Sequence, residues 1–588
     1  MVQRPKVRTV LALATLSAFG LVAAACGGGG GGSSSGTAQG TSAPTVAGSE
    51  APSGSTGAST GGGTEAPTTA AAAQPTSGGK VIWGIEADTS SPWRPAEMVC
   101  ATSCYQVAGS VYDPLTVITD DGSWKPYLAE SVLPNADNTV WTIKVRPGVT
   151  FHDGTPLDGA AVVENLTRAK NGFLTGTALA DVTTIAVNPS DPLAADVTVK
   201  RPWTSFPLYL AGQIGMIASP TWLKASDNDD ALKAKPVGTG PFIFESYAPN
   251  ESFKAKRNPS YWNKPYPYLD EIEFRPIPDA LNRRDALKSG AVDLIHTDNG
   301  QVITEFRDNK DFPQEEISNN AEVGYTLLHV TQVLPDGTKS PLQDQRVRCA
   351  LANAWDQPTI SQTIEQGVFP IADGPFAPGT PGYLKDTGFP QKQDMDKAKA
   401  LIADYKKENP GPLNLSLATT QDETNLTIAQ FQKQWWEEAG VDNVTLDQID
   451  QANYIVTALL GNFQVFQWRN HSGFNLDNQY IWWHSSSAVP VGQLALNFGR
   501  IKDPQIDALL DKNRAETDPA KKQGYAEEVN KIFADQCYNL WGSWDIWGIA
   551  HKPTVHGVEN FTLPDGKTSQ FGQGIAGTFY PMTLWAGQ

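Results

Sequence analysis

Few residues in this chain of 588 are suited to bond chemistry: seven histidines and five cysteines, beside seventeen tryptophans. His152 and Asp153, within Phe151-His-Asp-Gly-Thr155, place an imidazole beside a carboxylate, as a general base would require. No nucleophile or orienting group accompanies that pair. The stretch Gly32-Ser-Ser-Ser-Gly36 has the form of a hydrolase nucleophile elbow, yet no strand precedes it and no helix follows, so the match is incidental. Among His152, His296, His329, His471, His484, His551 and His556, only His551 and His556 are close in sequence, and that spacing is read as accidental. No enzyme activity, metal or cofactor is expected. Trp468, Trp541, Trp544 and Trp547 instead suit stacking against a sugar or an aromatic ligand.

The amino terminus supplies an address. Arg4, Lys6 and Arg8 precede an apolar or small-residue run from Val10 to Ala25, the pattern of a secretory signal (residues 1–25) and too short for a convincing membrane span. It ends Val22-Ala-Ala-Ala-Cys26-Gly27, which resembles a bacterial lipobox, so Cys26 is expected to carry lipid and become the first mature residue. No later apolar run reaches the length of a span. With Cys26 set aside, Cys100, Cys104, Cys349 and Cys537 form an even set for an oxidising compartment. Bridges Cys100–Cys104 and Cys349–Cys537 are expected, although four cysteines permit three pairings and the sequence does not choose among them. Zinc is the alternative, but C-x3-C without a nearby histidine supports it weakly.

Residues 26–79 read as a lipidated cysteine followed by a disordered tether. Six glycines (Gly27 to Gly32) lead into Ser, Thr, Ala, Pro and Gly, with Glu50 and Glu65 the only charges, so too little apolar surface is available to offset ordering. Such a tether reaches roughly 40 Å, enough for a folded body to stand off a membrane. The whole chain carries a net charge of −18 and lacks a basic stripe interleaved with aromatics, which excludes nucleic acid as a partner.

Folding elements begin near Lys80, with Val81 to Ile85 as a first strand. Leu115 to Thr119 is a second, running into the Asp120-Asp121-Gly122 turn. Val140 to Arg146 alternates, with Trp141, Ile143 and Val145 on the buried face. Gly148 and Gly154 bound a turn, and Asp158 caps a helix to about Lys170. Asp503-Pro504 and Asp518-Pro519 each start a helix. Ile428, Phe431, Trp435 and Ala439 predict a buried helical stripe ending at Gly440, followed by a strand over Val444 to Leu446. Length and this mixture predict an α/β protein of several domains.

Separated stretches together resemble one family. Tyr112-Asp-Pro-Leu115, Lys125-Pro-Tyr-Leu-Ala-Glu-Ser131 and Trp141-Thr-Ile-Lys-Val-Arg-Pro-Gly-Val-Thr-Phe-His-Asp-Gly-Thr-Pro156 are similar to the opening of family 5 extracellular solute-binding proteins, the peptide- and nickel-type receptors of ABC importers. Pro236-Val-Gly-Thr-Gly-Pro-Phe242, Arg257-Asn-Pro-Ser-Tyr-Trp262 and Ser289-Gly-Ala-Val-Asp-Leu294 resemble the middle, and Arg346-Val-Arg-Cys-Ala-Leu-Ala-Asn-Ala-Trp-Asp356 resembles the helix opening a third domain. The resemblance covers roughly residues 80–560, in order.

It implies a two-lobed periplasmic-binding-protein-like α/β fold with an extra inserted domain, mixed sheets flanked by helices, and a hinge between lobes. Residues 80–118, 236–300 and 552–588 would form domain I, 119–235 domain II and 301–551 domain III. It also implies that His152 and Asp153 lie in a structural turn. The ligand-contacting positions it implies are Met98, Val99 and Tyr105 on a rim, Thr297 and Asp298 at the inter-lobe crossing just after His296, and Trp468, Asn470 and His471 on a strand of domain III. On that strand, alternation puts Asn470 on the face of Trp468 and Arg469 opposite. Peptide-binding relatives often carry an aspartate three residues after this tryptophan, where it pairs with a peptide amine. His471 stands there instead, so oligopeptide is one possibility among small organic solutes.

The function implied is capture of a small molecule and delivery to a permease and ATPase complex by a monomer anchored through Cys26 to the outer face of the cell membrane. The alternative is an envelope or regulatory lipoprotein of the same fold without a transport role.

Overall fold

In the computed structural model, which describes residues 74–588 apart from 89–92, 100, 120, 173, 335, 472–474, 559–560, 570–577 and 588, the chain enters its fold at β1 (Lys80–Ile85). The signal, Cys26, the tether as far as residue 73 and Cys100 lie outside the described residues, and the last tether residues are pinned to the fold, Gly78 N donating to the Tyr268 carbonyl at 2.9 Å. β2 (Thr116–Ile118) and β3 (Trp124–Pro126) pair antiparallel around a turn in which Gly122 has a φ of 74°, the left-handed region that favours glycine.

β4 (Ala129–Pro134), β5 (Val140–Val145), β6 (Val182–Val187) and β7 (Ala194–Val199) form an antiparallel sheet ordered β4-β5-β7-β6. The alternation in β5 is as the sequence predicts: Trp141, Ile143 and Val145 are buried, and the residues between them are half-buried. The helix Gly159–Asn171 closes over this face with Val162 and Leu166, its first turn capped by Asp158, which accepts from Ala161 N at 2.9 Å.

Nine further strands are β8 (Phe242–Ala248), β9 (Ser252–Arg257), β10 (Glu271–Pro276), β11 (Leu294–Thr297), β12 (Gln314–Leu328), β13 (Asn414–Thr419), β14 (Asn443–Gln448), β15 (Val465–His471) and β16 (Asn539–His551). With β1 they build one mixed ten-stranded sheet, ordered β14-β13-β15-β12-β16-β11-β1-β10-β9-β8. β12 and β16 are its long members, paired antiparallel from Gln314 opposite Ala550 to Leu327 opposite Asn539. They carry the chain from the strands of residues 80–85 and 242–297 to those of residues 414–471. Their register shifts between Ile317 and Glu322, partway along that crossing. Beyond it β12 pairs with β15, and at the other end β16 pairs with β11.

Helices Pro504–Ala515 and Pro519–Gln536 start where Asp-Pro predicts, with Asp503 and Asp518 each accepting from two backbone N–H groups of the first turn. A disulfide joins Cys349 to Cys537, with Cα atoms 5.3 Å apart, and Cys104 is also disulfide-bonded. The helix Glu423–Glu438 departs from expectation. Its buried residues are Ala429, Gln432, Trp435 and Trp436, whereas Ile428 and Phe431 are partly buried at the edge of the stripe. The face is rotated because Gln432 goes inside. There its amide donates to Thr326 Oγ1 at 2.8 Å and accepts from Gln467 Nε2 at 3.2 Å, so a polar residue stands at the centre of the buried face.

Candidate ligand-binding site

Strand pairing brings a group of charged residues to the crossing of the large sheet. Across β15, β12 and β16, Arg469 stands opposite Gly324 and Gly324 opposite Ser543; two residues along, Glu322 stands opposite Asp545. Residues directly opposite in antiparallel ladders share a face, so Arg469, Glu322, Ser543 and Asp545 project together. Gly324 has a packing reason: a Cβ there would lie 3.0 Å from Asp545 Oδ2 and 3.2 Å from Ser543 Oγ.

Arg469 is held on three sides. Its Nε lies 2.8 Å from Glu322 Oε2, Nη1 pairs with Asp298 Oδ2, and Nη2 is 3.5 Å from Glu86 Oε1. Glu86 follows β1, Asp298 follows β11 and Glu322 lies in β12, so one guanidinium ties together carboxylates from three chain segments. The guanidinium carbon also lies 5.1 Å from the centroid of the Trp547 ring, within cation–π range.

Behind the arginine lies a buried acid pair. Ser543 Oγ is 2.5 Å from Asp545 Oδ1 and 3.1 Å from Glu365 Oε1. A serine hydroxyl has one hydrogen, so both contacts are satisfied only when one carboxyl is itself protonated and donates to the serine oxygen. Burial pushes the Asp545 carboxyl well above the usual carboxylate range, opposed by Ser543 and Arg469 and aided by the charge of Glu322. Burial likewise pushes Glu365 up, with the charge of Asp545 adding to it. The pair therefore holds a proton at neutral pH.

His296, wholly buried on β11, completes the junction. Its ring lies 4.9 Å from that of Trp547, and its Nε2 is 3.8 Å from Glu86 Oε2. Burial, together with Arg283 and Arg469, holds the imidazole neutral.

The residues singled out by sequence fall into three settings. Thr297 is wholly buried and its Oγ1 accepts from Asn299 N at 3.1 Å, while Asp298 joins Arg469. Trp468 and Asn470 lie on the opposite face of β15 from Arg469. There Trp468 packs edge-on to Phe498, with centroids 4.9 Å apart, and parallel to Tyr454 at 6.2 Å. Asn470, also buried, hydrogen-bonds to Tyr325. The backbone of His471 ends β15 opposite Glu322. Met98 and Tyr105 meet at Gln213: the Met98 carbonyl accepts from Gln213 Nε2 at 2.8 Å, and Tyr105 OH donates to Gln213 Oε1 at 3.2 Å. Val99, half-buried, continues the same segment. Gln106, next to Tyr105, reaches His296 Nδ1 at 3.5 Å and so links that helix to β11.

His152 is held by backbone: its Nε2 donates to the Gly240 carbonyl at 2.9 Å, and Nδ1 accepts from Gly238 N at 3.4 Å. Burial holds its pKa down at about 4, and Asp153 accepts from Ser219 Oγ at 2.5 Å, a set of contacts that organises a turn.

The signal that would have found Arg469, Glu322 and Asp545 is a charge embedded in an apolar strand, as in Val465-Phe-Gln-Trp-Arg469 and Trp544-Asp-Ile-Trp547. Burying such a charge is costly unless it is paired. Among the described residues, no three metal-ligating side chains converge. No helix of the described residues is long and apolar enough to cross a membrane.

A mixed α/β fold with long crossing strands and charged groups gathered at the crossing is that of the two-lobed periplasmic binding proteins. Residues 123–490 match the family of bacterial extracellular solute-binding proteins, family 5 middle, and the chain belongs to that family. It is 27% identical over 472 residues to the nickel-binding periplasmic protein of Escherichia coli, covering 76% of this chain and 86% of that one. It is 27% identical to a glutathione-binding protein of Shigella flexneri over 57% of this chain and 63% of that one. Among solved structures, it superposes on the ABC transporter-associated periplasmic binding protein DppA from Helicobacter pylori, in complex with the peptide STSA. The TM-score is 0.75 at 21% identity, covering 87% of this chain and 99% of that one.

Proposed function

We propose that the chain is the solute-capturing receptor of an ABC importer, holding a small organic molecule between its lobes and presenting it to a membrane permease and its ATPase. The observation that carries this reading is the ion pair between Arg469 on β15 and Asp298 after β11, within a chain whose family binds solutes. It joins side chains from the two groups of strands that β12 and β16 connect, where a solute touching both lobes would lie. A ligand bound there favours the closed arrangement by its differential affinity, and closure removes it from water. Residues 80–118, 236–300 and 552–588 form one domain in this reading, 119–235 a second and 301–551 a third. Met98, Val99, Tyr105, Thr297, Asp298, Trp468, Asn470 and His471 are the first positions to test for solute contact. The nickel, glutathione and tetrapeptide named for similar proteins mark the range of solutes to screen. Lipid on Cys26 would hold the receptor at the outer face of the membrane as a monomer.

Native mass spectrometry of freshly purified protein, followed by thermal-shift screening of peptides, amines, sugars and amino acids, tests the reading. A bound solute whose removal lowers the melting temperature and expands the protein in small-angle scattering is the expected result. A protein that neither carries nor responds to any solute would favour the non-transport alternative.

A further inference from the structure

Among the described residues, the sheet crossing gathers more carboxyl groups than guanidinium groups. Glu86, Asp298 and Glu322 all contact Arg469, and Asp545 and Glu365 stand behind them on Ser543. Arg283, the other guanidinium near Glu86, is wholly buried and already engaged: its Nε donates to the His296 carbonyl at 3.0 Å and Nη1 to the Ile277 carbonyl at 2.6 Å. Among the described residues, the titratable and charged groups facing the acid pair are Glu322 from β12 and Arg469 from β15. A surplus of buried carboxylate is tolerated only if it is paired or protonated.

A second observation is independent of that surplus. His296 is wholly buried, and its Nε2 is without a hydrogen-bond partner while facing Glu86 Oε2 across 3.8 Å. Gln106 sets the tautomer: its Oε1 accepts from Phe579 N at 3.0 Å, which turns its N–H toward His296 Nδ1. The imidazole hydrogen is thus on Nε2, an unused donor aimed into the group. It calls for an oxygen acceptor. Glu86 and Asp298 keep about a quarter of their side-chain surface exposed (23% and 24%), so the group is open on the side where they stand.

Resting on the receptor reading, we propose that this group is a subsite for a protonated amine or guanidinium carried next to an oxygen acceptor, and that binding the cation expels the proton shared by Glu365 and Asp545 into solvent. The solute's nitrogen faces Glu86, Asp298 and Glu322, and its oxygen accepts from His296 Nε2. Charge balances because one positive charge enters as one proton leaves. The upward shift of both buried carboxyls accords with a proton being present to lose.

The test uses the whole protein with arginine and putrescine as cationic probes and glucose and succinate as controls, each by calorimetry in two buffers of different ionisation enthalpy. Arginine, which carries both cation and oxygen, is expected to bind with proton release and to gain affinity with rising pH, by up to tenfold per pH unit for one proton. Asp545→Asn is expected to flatten that pH dependence, and Glu365→Gln serves as a second variant if the first is poorly folded. Binding of glucose or succinate without arginine, or a co-purified solute lacking a cationic nitrogen, overturns the subsite and leaves the receptor reading standing. No bound solute and no response to any probe overturns both.

Discussion

Glu322 and Asp545 stand directly opposite one another on neighbouring antiparallel strands, two carboxyl groups occupying one laterally paired position. Like charges so placed repel, and neither residue is exposed enough for water to relieve it. The arrangement persists because Arg469 takes Glu322 and a proton stays with Asp545 and Glu365.

That proton makes stability depend on pH. The folded carboxyls of Glu365 and Asp545 are pushed above their ordinary range, so the native state binds more protons than the unfolded chain above about pH 4. Stability is then expected to fall as pH rises from 5 to 7, by about 1.4 kcal/mol per pH unit for each proton retained. Denaturant midpoints across that range check it. Asp545→Asn is expected to reduce the slope, and an unchanged slope would contradict the assignment.

Trp468→Ala is expected to act on stability first. Its ring packs against Phe498 and Tyr454, on the face of β15 turned away from Arg469. The loss is expected to be about 3 kcal/mol, measured by urea unfolding. Affinity lost with stability intact would place the indole in the solute site instead.

Gly240→Ala is expected to be more damaging than its size suggests. A Cβ there would lie 2.4 Å from the Val111 carbonyl carbon and 2.8 Å from Tyr112 N, both main-chain atoms with no freedom to yield. A cost of about 3 kcal/mol is expected. Equal melting temperatures for variant and parent would refute the close approach.

The Cys349–Cys537 bridge links residues 188 apart, so its loss is expected to relax the unfolded chain by up to about 5 kcal/mol in the chain-entropy limit. The double variant Cys349→Ala, Cys537→Ala should melt lower than the parent, with the difference abolished when both are assayed under reductant.

How much of this was legible beforehand depends on the range of the cause. The caps at Asp158, Asp503 and Asp518 and the alternation of β5 are set by neighbours a few residues away, and each appears where the residues predict it. The helix Glu423–Glu438 shows the limit: spacing selected Ile428 and Phe431, but Gln432 turned inward because Thr326 and Gln467, from distant strands, receive its amide.

Composition and motif order sufficed for an α/β solute-binding protein, because hydrophobic period, turn chemistry and a family's recurring stretches are all written along the chain. The charge group at the sheet crossing was decided by tertiary structure alone. Residues 86, 298, 322, 365, 469 and 545 become neighbours only when strand order and register bring six distant segments to one face. No spacing along the sequence encodes that register.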